Sequence, residues 1–171
     1  MAVKSQGRAY NPVMESKVMV QVRNATVGDG KAICALIREY AEHDKMLFRS
    51  MADIYENIQT FVVAEAEGKV VGCGALQVIW SDLAEIKSLA VEKARVGTGV
   101  GKAIVLGALE KAGVLGIGRV FALTMEPGFF KKLGFEVVEK NSLPMKVWSD
   151  CAKCPKQQHC DETAVIIGLN S

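Results

Sequence analysis

The stretch from Glu85 to Glu110, EIKSLAVEKARVGTGVGKAIVLGALE, constrains this chain more than any other. The apolar run LAEIKSLAV reads as a strand, and it leads into a glycine-rich turn that opens a helix. Gly97, Gly99 and Gly101 alternate with Thr98 and Val100. Without Cβ atoms at these positions the backbone can curl, turn consecutive N–H groups outward and let an anion approach closely. The unpaired amides and the positive end of the helix dipole both favour phosphate.

The flanking patterns place this stretch in a mixed α/β domain. Residues 1–17 combine Gly, Ser, Asn and Pro12 with charges and no period, and read as a loose arm; residues 18–171 read as one domain. A strand is predicted over 18–23, then a helix capped by Thr26 or Asp29 with Ile33, Leu36, Ile37 and Tyr40 on one face. The segment 45–59 predicts a second helix with Ser50 available as a cap. Two apolar runs around Glu67, Gly68 and Lys69 predict a hairpin, and LAEIKSLAV is the third strand of that meander. The helix after the glycines runs to about Gly113, and its few charges predict burial over much of its surface. RVFALTM, the short helix opened by Pro127, a strand from Phe135 to Val138 and a last apolar strand, TAVIIGL, complete the pattern. The expected fold is a mostly antiparallel sheet of six or seven strands with about four helices.

Composition excludes several classes of function. A net charge of +2 over 171 residues, with basic residues interspersed among acids, gives no electrostatic footprint for nucleic acid. No run approaches the ~20 apolar residues that span a bilayer, and the polar start lacks a signal-peptide pattern, which points to the cytoplasm. Cys34 and Cys73 fall in apolar segments and read as reduced core thiols. Cys151, Cys154 and Cys160, with His159 and Asp161, carry ligand types for zinc or an iron cluster. Only one C-x2-C pair is present, a small cysteine-rich structural turn is the favoured reading of the loop, and no metal is assigned.

The spacing of VGTGVGK rejects two nucleotide motifs. A Walker A loop has four residues between its glycines and a hydroxyl after its lysine, whereas Gly97 and Gly101 enclose three and Lys102 precedes Ala103. A dinucleotide fingerprint is G-x-G-x-x-G inside a βαβ unit, whereas this G-x-G-x-G follows an antiparallel run. With its flanks, AEIKSLAV before it and FFKKLGF after it, the loop resembles the GNAT superfamily of N-acetyltransferases. That resemblance implies that Leu89, Ala90 and Val91 offer backbone to the pantetheine arm of acetyl-CoA. It also implies that Val96, Gly97, Thr98, Gly99, Val100, Gly101 and Lys102 hold its pyrophosphate. The superfamily carries Arg or Gln where this chain has Val96; Arg95 stands one residue too early, so Arg95 or Lys102 is left to supply a charged contact.

WSDLAEIKSLAV, RVFALT, FFKKLGF, LPMKVWSDC and the CxxCP loop ending in CDE are similar to the short, stand-alone N-acetylglutamate synthases. This resemblance implies acetyl transfer from acetyl-CoA to the α-amine of L-glutamate, the entry to arginine biosynthesis. Another small amine such as glutamine, or an acyl-CoA-binding module without turnover, are the alternatives. Two substrate carboxylates call for cations at two places. Arg49 aligns with an arginine that holds a carboxylate in larger synthases, Lys146 lies near another basic position, and Lys87 is a third candidate unless it simply faces solvent. Glu85 matches an acidic position and is the candidate base; Thr124 corresponds to a hydroxyl that contacts the amine. Phe130 stands where many members carry a tyrosine that protonates the leaving thiolate, and Phe129 and Phe130 either line the pantetheine arm or belong to the core. A homodimer through the edge of TAVIIGL is expected.

Overall fold

The structure, a computed structural model, describes residues 19–144 and 161–170. The expected arm at 1–17, Lys146, Cys151, Cys154, His159 and Cys160 lie outside the described residues. Seven strands are present: β1 (Gln21–Asn24), β2 (Phe61–Ala66), β3 (Lys69–Trp80), β4 (Leu83–Val91), β5 (Arg119–Thr124), β6 (Glu136–Val138) and β7 (Thr163–Gly168). The α-helices are α1 (Gly30–Ala41), α2 (Met51–Glu56), α3 (Val100–Val114) and α4 (Pro127–Lys131). One sheet runs β1-β2-β3-β4-β5-β7-β6, and only β4 and β5 are parallel neighbours. This is the mostly antiparallel α/β architecture that the sequence predicts.

Local chemistry explains the boundaries. Glu67 and Gly68 both take positive φ, 52° and 77°, as a two-residue hairpin requires to match strand twist. Ahead of α1, the Thr26 N–H donates to Asp29 Oδ2 at 2.8 Å, while Arg23 donates two bonds to Asp29 and one to Glu65. These bonds tie β1 and β2 to the entry of α1, and the guanidinium holds the Asp29 carboxyl below its usual range. The second helix is shorter than predicted. Ser50 Oγ caps it by accepting from the Asp53 N–H at 3.1 Å, and Asn57 ends it by donating its side-chain amide to the Asp53 carbonyl at 2.9 Å.

The helices cover both sheet faces. On one side α3 sets Val105, Ala108 and Ala112 against Ala84, Ile86, Val120 and Ala122, and Phe130 of α4 extends that core. On the other side Ile33 and Ile37 of α1 and Ile54 of α2 pack against Phe61, Val63, Cys73, Ala75 and Ala90. The few charges of α3 do not mean burial all round: one stripe is buried, while Leu106 and Val114 are exposed, because the helix lies on one face of the sheet with its back to water. Among the described residues no helix is long and apolar enough to cross a membrane.

Two topological facts bear on the expectations above. β7 lies between β5 and β6 and pairs with both, so Ala164, Val165 and Ile166 are flanked on both sides and offer no edge to a second copy. Parallel pairing of β4 with β5 covers three positions, Leu83↔Arg119, Ala84↔Val120 and Glu85↔Phe121. Beyond Glu85 the two strands part, leaving β4 from Ile86 to Val91 and β5 from Ala122 to Thr124 facing one another across a fork.

Candidate active site

Glu85 stands at the vertex of the fork, as the last β4 residue paired to β5. Its side chain is enclosed by the protein, with 8% of the residue exposed. Strand alternation puts Leu83, Glu85 and Lys87 on the α1 and α2 face and Ala84 and Ile86 on the α3 face. A bulge follows. Cys73 of β3 pairs with Ala90 and Ala75 pairs with Lys87, so β4 carries an extra residue there, and Ser88 adopts φ 55°. The extra residue reverses the alternation: Ala90 turns to the α1 side, and Leu89 and Val91 turn to α3.

Arg49 arrives at this bulge from the segment just before α2. Its Nε donates to Asp53 Oδ2 at 2.5 Å, its Nη1 lies 3.4 Å from Ser88 Oγ, and its Cζ stands 5.0 Å from the centroid of the buried Phe61 ring. The side chain is only 12% exposed. Glu85, Lys87 and Arg49 are therefore brought to one face of the sheet along the open edge of β4. Thr124 is not: it alternates with Val120 and Ala122 toward α3, and its Oγ1 accepts the Glu126 N–H at 2.9 Å.

The glycine loop has the backbone that its sequence predicts. Gly97 and Gly99 take φ 81° and 95°, conformations that suit glycine, and a Cβ on either would meet nothing within 4 Å. The outer side of the loop is thus open. The first intrahelical bond of α3 runs from the Ala103 N–H to Gly99 O, so the N–H groups of Val100, Gly101 and Lys102 precede it. Thr98 turns its hydroxyl inward onto Arg95 O at 2.5 Å. The Val96 side chain is exposed at 61%, and Arg95 Nε pairs with Glu92 at 3.3 Å. The backbone cradle fits a pyrophosphate; the charged contact is absent at Val96 and committed elsewhere at Arg95.

The two phenylalanines of α4 part company. Phe129 borders the loop, its ring 3.4 Å from where a Gly101 Cβ would stand. Phe130 is 4% exposed and edge-on to Phe129 and Phe135, which corrects its assignment to the cofactor site: it is core and holds no proton to donate. At the end of β4, Val91 O accepts the Tyr40 hydroxyl at 2.7 Å, so one lone pair of that expected pantetheine contact is taken.

Several residues of the site escape the sequence reading. Ser88 was signalled by the adjacent polar pair Lys87-Ser88, which breaks the alternation of an otherwise regular strand. Asp53, four residues after Arg49, was signalled by the i,i+4 spacing of opposite charges. Tyr40 and Phe61 carried no signal beyond apolar periodicity.

Comparison with known proteins fits this geometry. The Acetyltransferase (GNAT) domain matches residues 57–137, which include the fork, the glycine loop and α4. The chain is 41% identical over 145 residues to an uncharacterized N-acetyltransferase of Chlorobaculum tepidum, covering 85% of this chain and 94% of that protein. The chain belongs to the GNAT family of N-acetyltransferases. It is also 42% identical over 135 residues to the amino-acid acetyltransferase of Mycobacterium tuberculosis, covering 77% of each chain. Among solved structures, N-acetylglutamate synthase from Neisseria gonorrhoeae, complexed with coenzyme A and N-acetyl-glutamate, superimposes with a TM-score of 0.80 at 29% identity. That match covers 90% of this acetyltransferase and 36% of the gonococcal chain.

Proposed function

We propose that this acetyltransferase moves the acetyl group of acetyl-CoA to the α-amine of L-glutamate, in the cytoplasm, as the entry to arginine biosynthesis. The observation that carries the reading is that Glu85 at the fork and the half-buried Arg49 at the bulge lie on one face of β4. A carboxylate is the right base for an amine and an arginine the right partner for a carboxylate, and an amino acid brings both groups. The likeness to an amino-acid acetyltransferase and to a glutamate-acetylating synthase supports the same choice.

In this reading the backbone from Gly97 to Lys102 holds the pyrophosphate, the open edge of β4 at Leu89 to Val91 takes the pantetheine arm, and Phe129 borders it. Glu85, directly or through water, takes a proton from the substrate ammonium. A free amine has a pKa of roughly 8 or higher, so this step exposes the lone pair at neutral pH. The amine nitrogen then bonds to the thioester carbonyl carbon as the carbon–sulfur bond breaks. The nitrogen gives up its second proton to water as the amide forms; CoA leaves as a thiolate, and with Phe130 in the core it takes its proton from water. A thiol of pKa ~8.5 leaves without full protonation. Arg49 holds one substrate carboxylate, and Lys87, two residues beyond Glu85 on the same face, is the described candidate for the other.

The test is thiol release. Incubation with acetyl-CoA and each amino acid in turn should give a clear preference for glutamate, with glutamine weaker. Turnover confined to polyamines or peptide N-termini would refute the assignment. Tight CoA binding without thiol release for any amine would mark a non-catalytic module.

A further inference from the structure

Arg49 does not sit in the cleft unsupported. A chain of side-chain bonds runs behind it: Asn57 Nδ2 donates to Asp53 Oδ1 at 3.0 Å, and Asp53 Oδ2 accepts from Arg49 Nε at 2.5 Å. The same Nδ2 also donates to the Asp53 backbone carbonyl at 2.9 Å, and the Asn57 backbone carbonyl accepts from Thr60 Oγ1 at 2.7 Å. Phe61 supports one flat side of the guanidinium, and Ser88 lies at hydrogen-bond distance from Nη1. A guanidinium has five N–H donors in a rigid plane. With Nε held by Asp53 and Nη1 toward Ser88, the plane has no rotational freedom left, and Nη2 makes no hydrogen bond among the described residues. Every fully buried side-chain nitrogen and oxygen among the described residues has a partner, so Nη2 is not fully buried.

We infer that Asp53 and Asn57 are positioning residues for substrate: they fix the rotamer of Arg49 so that Nη2 faces the cleft and meets the amino-acid carboxylate. The inference rests on the proposed reading of Arg49 as the carboxylate-binding residue. Its atomic content is specific. Each carboxylate oxygen of Asp53 accepts from a different donor, Oδ1 from Asn57 and Oδ2 from Arg49. In Asp53→Asn one of those acceptors becomes an NH2 group. If the remaining oxygen faces Arg49, the new N–H groups face the amide of Asn57, donor against donor.

The experiment measures kcat and both KM values, with L-glutamate and acetyl-CoA, for wild type, R49A, D53A and D53N, alongside thermal melting. D53A and D53N should each raise the glutamate KM at least tenfold, with the acetyl-CoA KM and kcat within about threefold of wild type. A merely structural role for Asp53 in α2 would move the acetyl-CoA KM and kcat as well. Equal rises in both KM values would overturn the inference. The arms separate the two claims. No turnover of glutamate by wild type defeats the proposed function. An unchanged glutamate KM in R49A removes Arg49 from the site and the inference with it. A raised KM in R49A beside an unchanged one in D53A defeats the positioning role alone.

Discussion

Arg49 Nη1 and Ser88 Oγ lie 3.4 Å apart across 39 residues of sequence, joining the segment before α2 to the bulge of β4. That bulge holds Ser88 at φ 55°, a left-handed conformation that costs an L-residue about 1–2 kcal/mol. Ser88→Gly should therefore be at least as stable as wild type, since the relief exceeds the ~0.5–1 kcal/mol entropic cost of glycine. Ser88→Val, β-branched at the same φ, should lose more than about 1 kcal/mol. Urea midpoints rank the three proteins, and a Val variant as stable as wild type would mean that the bulge imposes no constraint.

Glu85 closes the paired part of β4 and β5, and in the proposed reaction it is the base that deprotonates the amine. Removing a general base costs roughly 10²- to 10⁴-fold. Glu85→Gln keeps the size and removes the basicity, so kcat should fall at least about 100-fold with the glutamate KM within a few fold. The rate of E85Q should still rise with pH, following the free fraction of the substrate amine. An undiminished kcat would return Glu85 to the status of a buried strand residue.

Val96 occupies the loop position where related enzymes place Arg or Gln, and its side chain is turned to solvent. The open backbone beside it, Gly97 to Gly99, is intact. Val96→Arg should add one charge-assisted hydrogen bond to phosphate, of about 1–2 kcal/mol, lowering the acetyl-CoA Kd by roughly five- to thirtyfold. The gain should shrink as salt rises from 50 to 500 mM. Calorimetry that finds no gain at low salt would show that the loop reads phosphate through backbone alone.

The order of elements, the hairpin turn, the bounds of β4 and the glycine loop were all legible in the sequence, because each rests on a local signal: alternation, a Glu-Gly pair, or glycines ahead of a helix. The fork was not legible. It depends on where β4 and β5 cease to pair, and strand pairing across the chain leaves no mark in either strand alone. The same limit explains β7, whose apolar pattern reads equally well as an edge or as an inserted strand. Glu85 and Arg49 were named by the family resemblance and Lys87 by its place on the central strand, and the structure sets all three on one face of β4. Thr124 fell on the opposite face because the parity of β5 relative to β4 is fixed only by their three paired residues.

Asp29 makes a different point, since its carboxylate serves the fold. Bonds from Arg23 above all hold its pKa below the usual value of 3.8 in the folded protein. A depressed folded pKa contributes stability that is fully present above the unfolded pKa and is lost as pH falls through the folded one. Asp29→Asn should thus be less stable than wild type by about 2 kcal/mol at pH 7, and the difference should be flat down to about pH 5. Below pH 4 the gap should close as the wild-type carboxyl takes up its proton. Urea titrations of both proteins from pH 7 to pH 2.5 measure it; a gap that stays constant to pH 2.5 would mean that the carboxylate charge is not what the pair contributes.

Cys73 runs in the opposite sense. Burial, partly offset by the Ala90 backbone and the charge of Arg49, pushes its thiol up from 9.0 to about 12. Its Sγ donates to Ser88 O at 3.6 Å, on the inner side of the bulge. In the folded protein the thiol keeps its proton where the unfolded chain has lost it, so the unfolded state binds fewer protons above pH 9. Stability must then fall with rising pH between about 9 and 12, with a limiting slope of about 1.4 kcal/mol per pH unit from this one group. Cys73→Ala lacks that proton. It should be about 1 kcal/mol less stable than wild type at pH 7 from the lost packing, and it should draw level near pH ~10, where the wild-type penalty reaches the same size. The native thiol should also resist iodoacetamide at pH 8.5 for as long as the protein stays folded, because the thiolate is the nucleophile. Rapid alkylation under native conditions, or parallel stability curves up to pH 10.5, would mean that Cys73 is reached by water and that the bulge above it opens.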